Sequence, residues 1–325
     1  MNQIVYVNVN SKDYLLEDTL YSAAGMKLSI YNSTSLTDAL PRIQEADALV
    51  VTLEKVTSNI MESMPNLKVI GRMGVGVDSL DIEAATRLGI PIINVPDYCV
   101  EEVALHAASM MLAAHRKLLP ANIMVKERRW SSSNELMPID ALSNLTLGLL
   151  GMGRIGSKVI EYMRGFVSRV LVYDPFLKVE QLPAGVEQVS FDQLLAESDI
   201  LTLHCPLTPE TKYSINRKAI EKMKKQPIIV NVSRGPLIHE GDLLDALESG
   251  AIRYAALDVL EQEPPPHDHP LLDHPKVLVT NHLAWYSSAS LVRLREYTVN
   301  RVIDYLLGRS VPTIVNRKAL EITRQ

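Results

Sequence analysis

The feature that most constrains this chain lies near its middle. Thr146-Leu147-Gly148-Leu149-Leu150 reads as an apolar strand, Gly151-Met152-Gly153-Arg154-Ile155-Gly156 as the pattern G-x-G-x-x-G, and the residues up to Ile160 as an amphipathic helix. Each glycine answers a steric demand: Gly151 permits a tight turn, Gly153 lets backbone approach a pyrophosphate, and Gly156 lets the helix lie close on the strand. The helix N-terminus then meets the phosphate charge. The motif alone is weak, but the next strand, Val170 to Tyr173, ends in Asp174, 18 residues beyond Gly156. An acid there accepts hydrogen bonds from the adenosine ribose hydroxyls. A carboxylate also repels a 2′-phosphate, and Pro175 and Phe176 behind it add no base, so NAD is expected in preference to NADP.

Apolar runs recur on both sides of the motif. Before it come residues 3–9, Lys27 to Tyr31, Ala48 to Val51, Leu67 to Gly71 and Pro91 to Pro96. From 146–151 onward come Val170 to Tyr173, Ile200 to Leu203, Ile228 to Asn231, Ala255 to Asp258 and Val277 to Thr280. Stretches able to form helices separate them, which is the rhythm of βαβ units and parallel sheets. The second series, six strands opening on a glycine-rich turn, describes a doubly wound nucleotide-binding domain. A helix from Glu101 to about Leu119 is expected to break at Pro120. A polar connection follows from Glu127 to Asp140, and a last helix runs from about Ser287 to Leu307. With 325 residues the chain suits two domains, and its final residues are expected to return to the first.

Composition narrows the function classes. With 47% hydrophobic and 22% charged residues the chain should fold throughout. A net charge of -5 provides no global basic field for nucleic acid or anionic lipid. The two cysteines, Cys99 and Cys205, the absence of a basic n-region at the N-terminus and the absence of a membrane-length apolar run lead to the expectation of a soluble, cytoplasmic protein.

Candidate chemistry gathers behind the strands of the second series. Arg234 follows one of them in Asn231-Val232-Ser233-Arg234-Gly235, where a guanidinium fork could take a carboxylate. His282 follows another, and Glu263 lies in Asp258-Val259-Leu260-Glu261-Gln262-Glu263-Pro264. An imidazole near neutrality can exchange a proton, and a carboxylate on its other nitrogen fixes the tautomer. By residue type alone, Arg234 reads more readily as a surface arginine, and His282 equally as a structural histidine or a catalyst. His106 and His115 read as packing or interface residues, and Pro264 to Pro270, with two histidines and an acid, is not expected to hold a metal.

Taken together, Leu67 to Asp78, Gly148 to Gly156, Tyr173-Asp174-Pro175, His204-Cys205-Pro206-Leu207-Thr208, Asn231 to Gly235, Asp258 to Pro264 and His282-Leu283-Ala284-Trp285 resemble the D-isomer-specific 2-hydroxyacid dehydrogenases over essentially the whole chain. The resemblance implies an α/β protein of two Rossmann-like doubly wound domains. The NAD-binding domain, 101–287, would be inserted into a flavodoxin-like substrate-binding domain formed by 1–100 plus 288–325. It implies that Arg234 binds the carboxylate and oxo group of a small 2-oxo or 2-hydroxy acid, that His282 is the acid/base and that Glu263 orients it. Val75 and Gly76 would offer backbone amides to the substrate, with Val75 also near the cofactor. Around NAD it implies Gly151, Gly153, Arg154, Ile155 and Gly156 at the pyrophosphate, Asp174 at the ribose and Asp258 at the nicotinamide carboxamide. Cys205, Val232 and His282 would line the cofactor cleft.

The family also implies a homodimer assembled through the NAD domain. Two departures stand out: Asn281 replaces the usual proline before the histidine, and Ser143-Asn144 replaces Gly-Lys before the first nucleotide-binding strand. Around 96–103 and 282–287 the sequence is similar to the branch containing the C-terminal-binding proteins, which makes an NAD(H)-sensing binding protein one alternative to a dehydrogenase. Phosphoglycerate dehydrogenase is another. It is disfavoured by the expectation that no regulatory domain follows residue 325 and by the lack of a basic pair near Thr52-Leu53-Glu54-Lys55.

Overall fold

The computed structural model describes residues 1–7, 13–33, 35–130, 136–178, 180 and 182–323. Its first stretch alternates β1 (Gln3–Val7), α1 (Leu15–Ala23), β2 (Lys27–Tyr31), α2 (Leu36–Ile43), β3 (Ala48–Val51), α3 (Ser58–Glu62), β4 (Val69–Arg72), α4 (Ile82–Arg87) and β5 (Ile92–Ile93). The strand expected over 3–9 is present to Val7, and positions 8 and 9 lie outside the described residues. All five strands pair in parallel in the order β2-β1-β3-β4-β5, the flavodoxin-like arrangement. Strand alternation separates two cores. Ile4 and Tyr6 of β1 join Tyr21 on one face, while Val5 and Val7 join Leu36, Ile43 and Ile60 on the other.

The chain continues through α5 (Val100–His115), α6 (Leu118–Lys126), β6 (Thr146–Leu150), α7 (Arg154–Met163), β7 (Arg169–Tyr173), β8 (Val186–Gln188), α8 (Phe191–Glu197), β9 (Ile200–Leu203), α9 (Arg217–Ile220), β10 (Ile228–Asn231), α10 (Glu240–Ser249), β11 (Tyr254–Leu257) and β12 (Val277–Val279). A second parallel sheet results, ordered β12-β11-β10-β9-β6-β7-β8. Among the described residues it has seven strands rather than six. The added one, β8, reads Val186-Glu187-Gln188 and is held at the sheet edge by its ladder to β7. The long helix also ends earlier than expected. Lys117 takes a left-handed φ of 51° between α5 and α6, and Pro120 sits inside the first turn of α6. A missing amide is harmless there, because first-turn amides have no intrahelical partner.

The last elements, α11 (Ser288–Leu306) and α12 (Arg317–Thr323), rejoin the first sheet. Two compact units follow: Met1–Cys99 with Ser287–Gln325, and Val100–Tyr286 inserted between those segments. A capping box at Ser287 and Ser290 starts α11, whose Val299, Val302 and Ile303 enter the core that holds Ile4 and Tyr6. Glycine at 71 lets that helix lie close on β4, since a Cβ there would stand 2.9 Å from Val302 Cγ2. No helix among the described residues is long and apolar enough to cross a membrane.

Candidate active site

In the inserted unit β6 is an interior strand, with β7 and β9 on its two sides. The crossover direction reverses there, so the crevice beyond the carboxyl end of β6 is the switch point of the sheet. The glycine loop occupies that place. Gly151 has a φ of 93°, and a Cβ on it would meet Cys205 N at 2.9 Å; on Gly156 a Cβ would stand 2.6 Å from Gly151 O. Gly153, by contrast, faces open space, with nothing within 4 Å of where its Cβ would be. Arg154 and Ile155 open α7 directly behind it, so their amides belong to the unpaired first turn. The cradle fits a pyrophosphate.

Asp174, immediately after β7, accepts from Met152 N at 2.9 Å through Oδ2 and from Phe176 N at 3.0 Å through Oδ1. Its carboxylate therefore braces the glycine loop and its own turn while retaining acceptor capacity for a ribose. Cys205 follows β9 and Val232, which is buried, follows β10. Burial pushes the Cys205 thiol up to about 11, which keeps it protonated and unreactive at neutral pH.

Three reactive side chains stand behind β10, β11 and β12. His282 Nδ1 and Glu263 Oε2 are 2.6 Å apart, and each side chain is 35% exposed. The other carboxylate oxygen, Oε1, accepts from Leu260 N at 3.0 Å, which fixes the acid in place. Burial works to raise the Glu263 carboxyl, but the hydrogen bond and charge of His282, the Leu260 amide and the Arg234 guanidinium outweigh it and hold the group below its usual range. At neutral pH Glu263 is a carboxylate, so it accepts the Nδ1 proton and leaves Nε2 as the imidazole's outward nitrogen.

Arg234 is held by its neighbours. Asn231 Nδ2 donates to Arg234 O at 2.8 Å, and Asn231 Oδ1 accepts from Ser233 N at 3.0 Å. Glycine at 235 is obligatory, because a Cβ would lie 1.9 Å from Leu260 O. That contact packs the arginine loop directly against the loop leading to Glu263.

The role of Asp258 in the turn that follows β12 was not legible from its motif. It is 1% exposed, and its carboxylate accepts from Thr280 Oγ1 at 2.5 Å, Leu283 N at 2.9 Å and Ala284 N at 3.0 Å. Its carbonyl accepts from His282 N at 2.7 Å. These bonds hold His282 at a φ of 56°, a left-handed conformation costing about 1–3 kcal/mol for a residue other than glycine. The proximity of Arg234, Glu263, His282 and Asp258 belongs to the inserted unit alone. Val75 and Gly76 lie in the other unit after β4, where Val75 O accepts from Asn94 Nδ2 at 2.7 Å.

A glycine cradle at the switch point, with a paired histidine and an arginine behind strands of the same sheet, is the arrangement of a dinucleotide-binding domain. Residues 108–284 match the model of the D-isomer specific 2-hydroxyacid dehydrogenase NAD binding domain, and the chain belongs to that family. It is 37% identical over 299 residues to D-3-phosphoglycerate dehydrogenase of Archaeoglobus fulgidus, covering 91% of this chain and 56% of the relative. Hydroxypyruvate reductase of Blautia hydrogenotrophica is 35% identical over 295 residues, covering 89% of this chain and 91% of that protein. The chain thus spans about half the length of the phosphoglycerate dehydrogenase and nearly all of the reductase. Among solved structures, D-lactate dehydrogenase from Aquifex aeolicus complexed with NAD and lactic acid is similar with a TM-score of 0.86 and 30% identity, over 94% of this chain and 96% of that one.

Asp174 should set the choice of cofactor. Asp174→Ala is expected to weaken NAD binding much more than NADP binding, because it removes ribose hydrogen bonds from one and a repulsive charge from the other. The ratio of kcat/KM for the two cofactors reads this directly, and an unchanged ratio would remove Asp174 from the ribose site.

Proposed function

We propose that this chain is an NAD-dependent D-2-hydroxyacid dehydrogenase interconverting small 2-oxo acids and (R)-2-hydroxy acids, with hydroxypyruvate or glyoxylate reduction as the leading substrate class. The observation that carries the reading is the 2.6 Å His282–Glu263 pair at the edge of the sheet that bears the dinucleotide loop. Bound NADH would supply the hydride. Arg234 would hold the substrate carboxylate and polarise the carbonyl. As negative charge grows on the carbonyl oxygen, protonated His282 would donate to it from Nε2; in the oxidative direction the same nitrogen would take the hydroxyl proton. Asp258 would serve the carboxamide with the capacity left on Oδ2.

The test is NADH oxidation, followed by absorbance, against glyoxylate, hydroxypyruvate, pyruvate, phosphohydroxypyruvate and bulkier 2-oxo acids. Turnover of the small acids supports the reading. Tight NADH binding with no turnover on any would replace it with an NAD(H)-sensing binding protein. Phosphohydroxypyruvate in the panel tests the phosphoglycerate dehydrogenase alternative, and its turnover in preference to the small acids would replace the leading substrate class.

Glu263→Gln provides a pH test. Glu263, held below its usual range by its bond to His282, keeps its charge against the proposed proton donor, so the basic limb of the reductive kcat/KM profile should move to lower pH when that carboxylate is replaced. An unshifted limb, measured where hydride transfer limits, would uncouple the pair.

A homodimer built on the inserted unit is part of the proposal. Leu105, Leu118, Ile123 and Val125 on α5 and α6 are exposed, and Trp130 is 88% exposed. A second copy covering this apolar face would remove from water what one chain leaves wet. Light scattering at micromolar concentration should give twice the mass of the chain, and the monomer mass would refute the assembly. A reducing cytoplasmic setting suits the two cysteines, neither of which is in a disulfide.

A further inference from the structure

His106 lies in the middle of α5, the helix that packs on α7, β10 and β11. The acid/base chemistry has no use for it, and its place in the sequence suggests only packing or an interface. Its Nε2 nevertheless stands 3.1 Å from Thr280 Oγ1 and 3.5 Å from Asp258 Oδ1. Thr280 Oγ1 donates its own hydrogen to Asp258 Oδ1 at 2.5 Å. A hydroxyl has one proton to give, so the His106 contact works only if Nε2 carries a proton and donates it to the threonine oxygen. The resulting chain runs from His106 to Thr280, from Thr280 to Asp258, and from Asp258 to the amides of Leu283 and Ala284. Thr280 to Ala284 is therefore a turn wrapped around one buried carboxylate, and His282 stands at its apex.

We propose that His106 is a positioning residue which, by fixing the direction of the Thr280 hydroxyl, holds Asp258 in the orientation that keeps His282 left-handed and in line with Glu263. The inference rests on the reading of His282 as the acid/base. Without the His106 donor the threonine hydroxyl can turn, Asp258 loses one restraint, and the strained turn relaxes toward ordinary backbone. The imidazole then spends less time on Glu263. Proton donation and the His282–Glu263 coupling should suffer, while substrate affinity, set by Arg234, should not.

The experiment uses the full chain with NADH and the best 2-oxo acid from the panel. His106→Leu keeps bulk but removes the donor; kcat should fall about tenfold, the size of one hydrogen bond to a charged network, with KM within about twofold. Its reductive pH profile should move in the same direction as that of Glu263→Gln. His106→Gln places an amide near the lost Nε2 and should recover most of the rate with the normal profile. Thr280→Val should reproduce His106→Leu, and the double variant should cost little more than either single, as expected for two links of one chain. A purely structural role would instead lower thermal stability without moving the pH profile, and glutamine would not restore it.

Wild-type kcat and profile in both His106→Leu and Thr280→Val would overturn the proposal, and so would a folded His106→Gln that fails to recover. Should His106→Leu not fold, Thr280→Val and His106→Gln decide the matter. His282→Ala measured alongside separates the two levels of inference. If it keeps its rate, the acid/base reading has failed; if it loses its rate while His106→Leu does not, only the positioning role has failed.

Discussion

Replacing His282 with alanine should lower kcat by about 10²- to 10⁴-fold and leave NADH affinity nearly intact, the loss expected for a general acid/base. The reason lies in how the residue is held. The backbone at 282 is bonded to Asp258 and the imidazole to Glu263, so the side chain serves neither the core nor the glycine loop. On the proposed reading, removing the ring would take away the proton donor to the developing alkoxide and little else. Stopped-flow hydride transfer with fluorescence titration of NADH checks both halves of the expectation. A variant with near-normal kcat would assign proton transfer elsewhere, and one that loses NADH binding would make His282 a cofactor residue first.

Arg234→Ala should damage KM and kcat together. The guanidinium would meet a substrate carboxylate before reaction and a more negative oxygen during it, so its removal weakens ground state and transition state alike. Two hydrogen bonds between charged groups, at roughly 1.5–3 kcal/mol each, correspond to a loss in kcat/KM of about 10²- to 10⁴-fold. Arg234→Lys should recover only a small part, because an ammonium supplies charge without the planar fork. The loop itself should survive, since Asn231 and the obligatory glycine at 235 shape it through backbone contacts. Steady-state kinetics across 2-oxo acid concentrations separates KM from kcat. A change confined to KM would mean that Arg234 binds substrate without assisting hydride arrival.

Legibility in the sequence followed burial. Ala48–Val51 and Ile228–Asn231 are buried at every position, and strands buried on both faces appear as unbroken apolar runs. Edge strand β8 has no such run, because Val186 alone is buried and backbone pairing to β7 makes the strand. The break in the long helix escaped for a related reason. Proline is a recognisable signal, but the left-handed residue is Lys117, which carries no mark of its conformation. The cradle was readable because steric crowding at Gly151 and Gly156 admits only glycine. The partnership of Glu263 with His282, 19 residues apart, rested on family resemblance, and the service of Thr280 and His106 to Asp258 left no trace in spacing. Contacts between side chains on different elements have no period for a sequence to display.

The insertion of one unit into the other also sets an order of assembly. Every strand and helix of the inserted unit has been made by Tyr286, whereas the core around Ile4 and Tyr6 needs Val299, Val302 and Ile303 from the last long helix. A growing chain can close its second sheet while one face of its first is still covered only by α1. Vectorial synthesis usually favours the N-terminal domain. In this molecule it favours the middle, and strands β1 to β4, with one face only part-covered by α1, must wait on the ribosome for some two hundred further residues. Those early strands, rather than the dinucleotide sheet, are where a chaperone would find its longest-lived exposed surface.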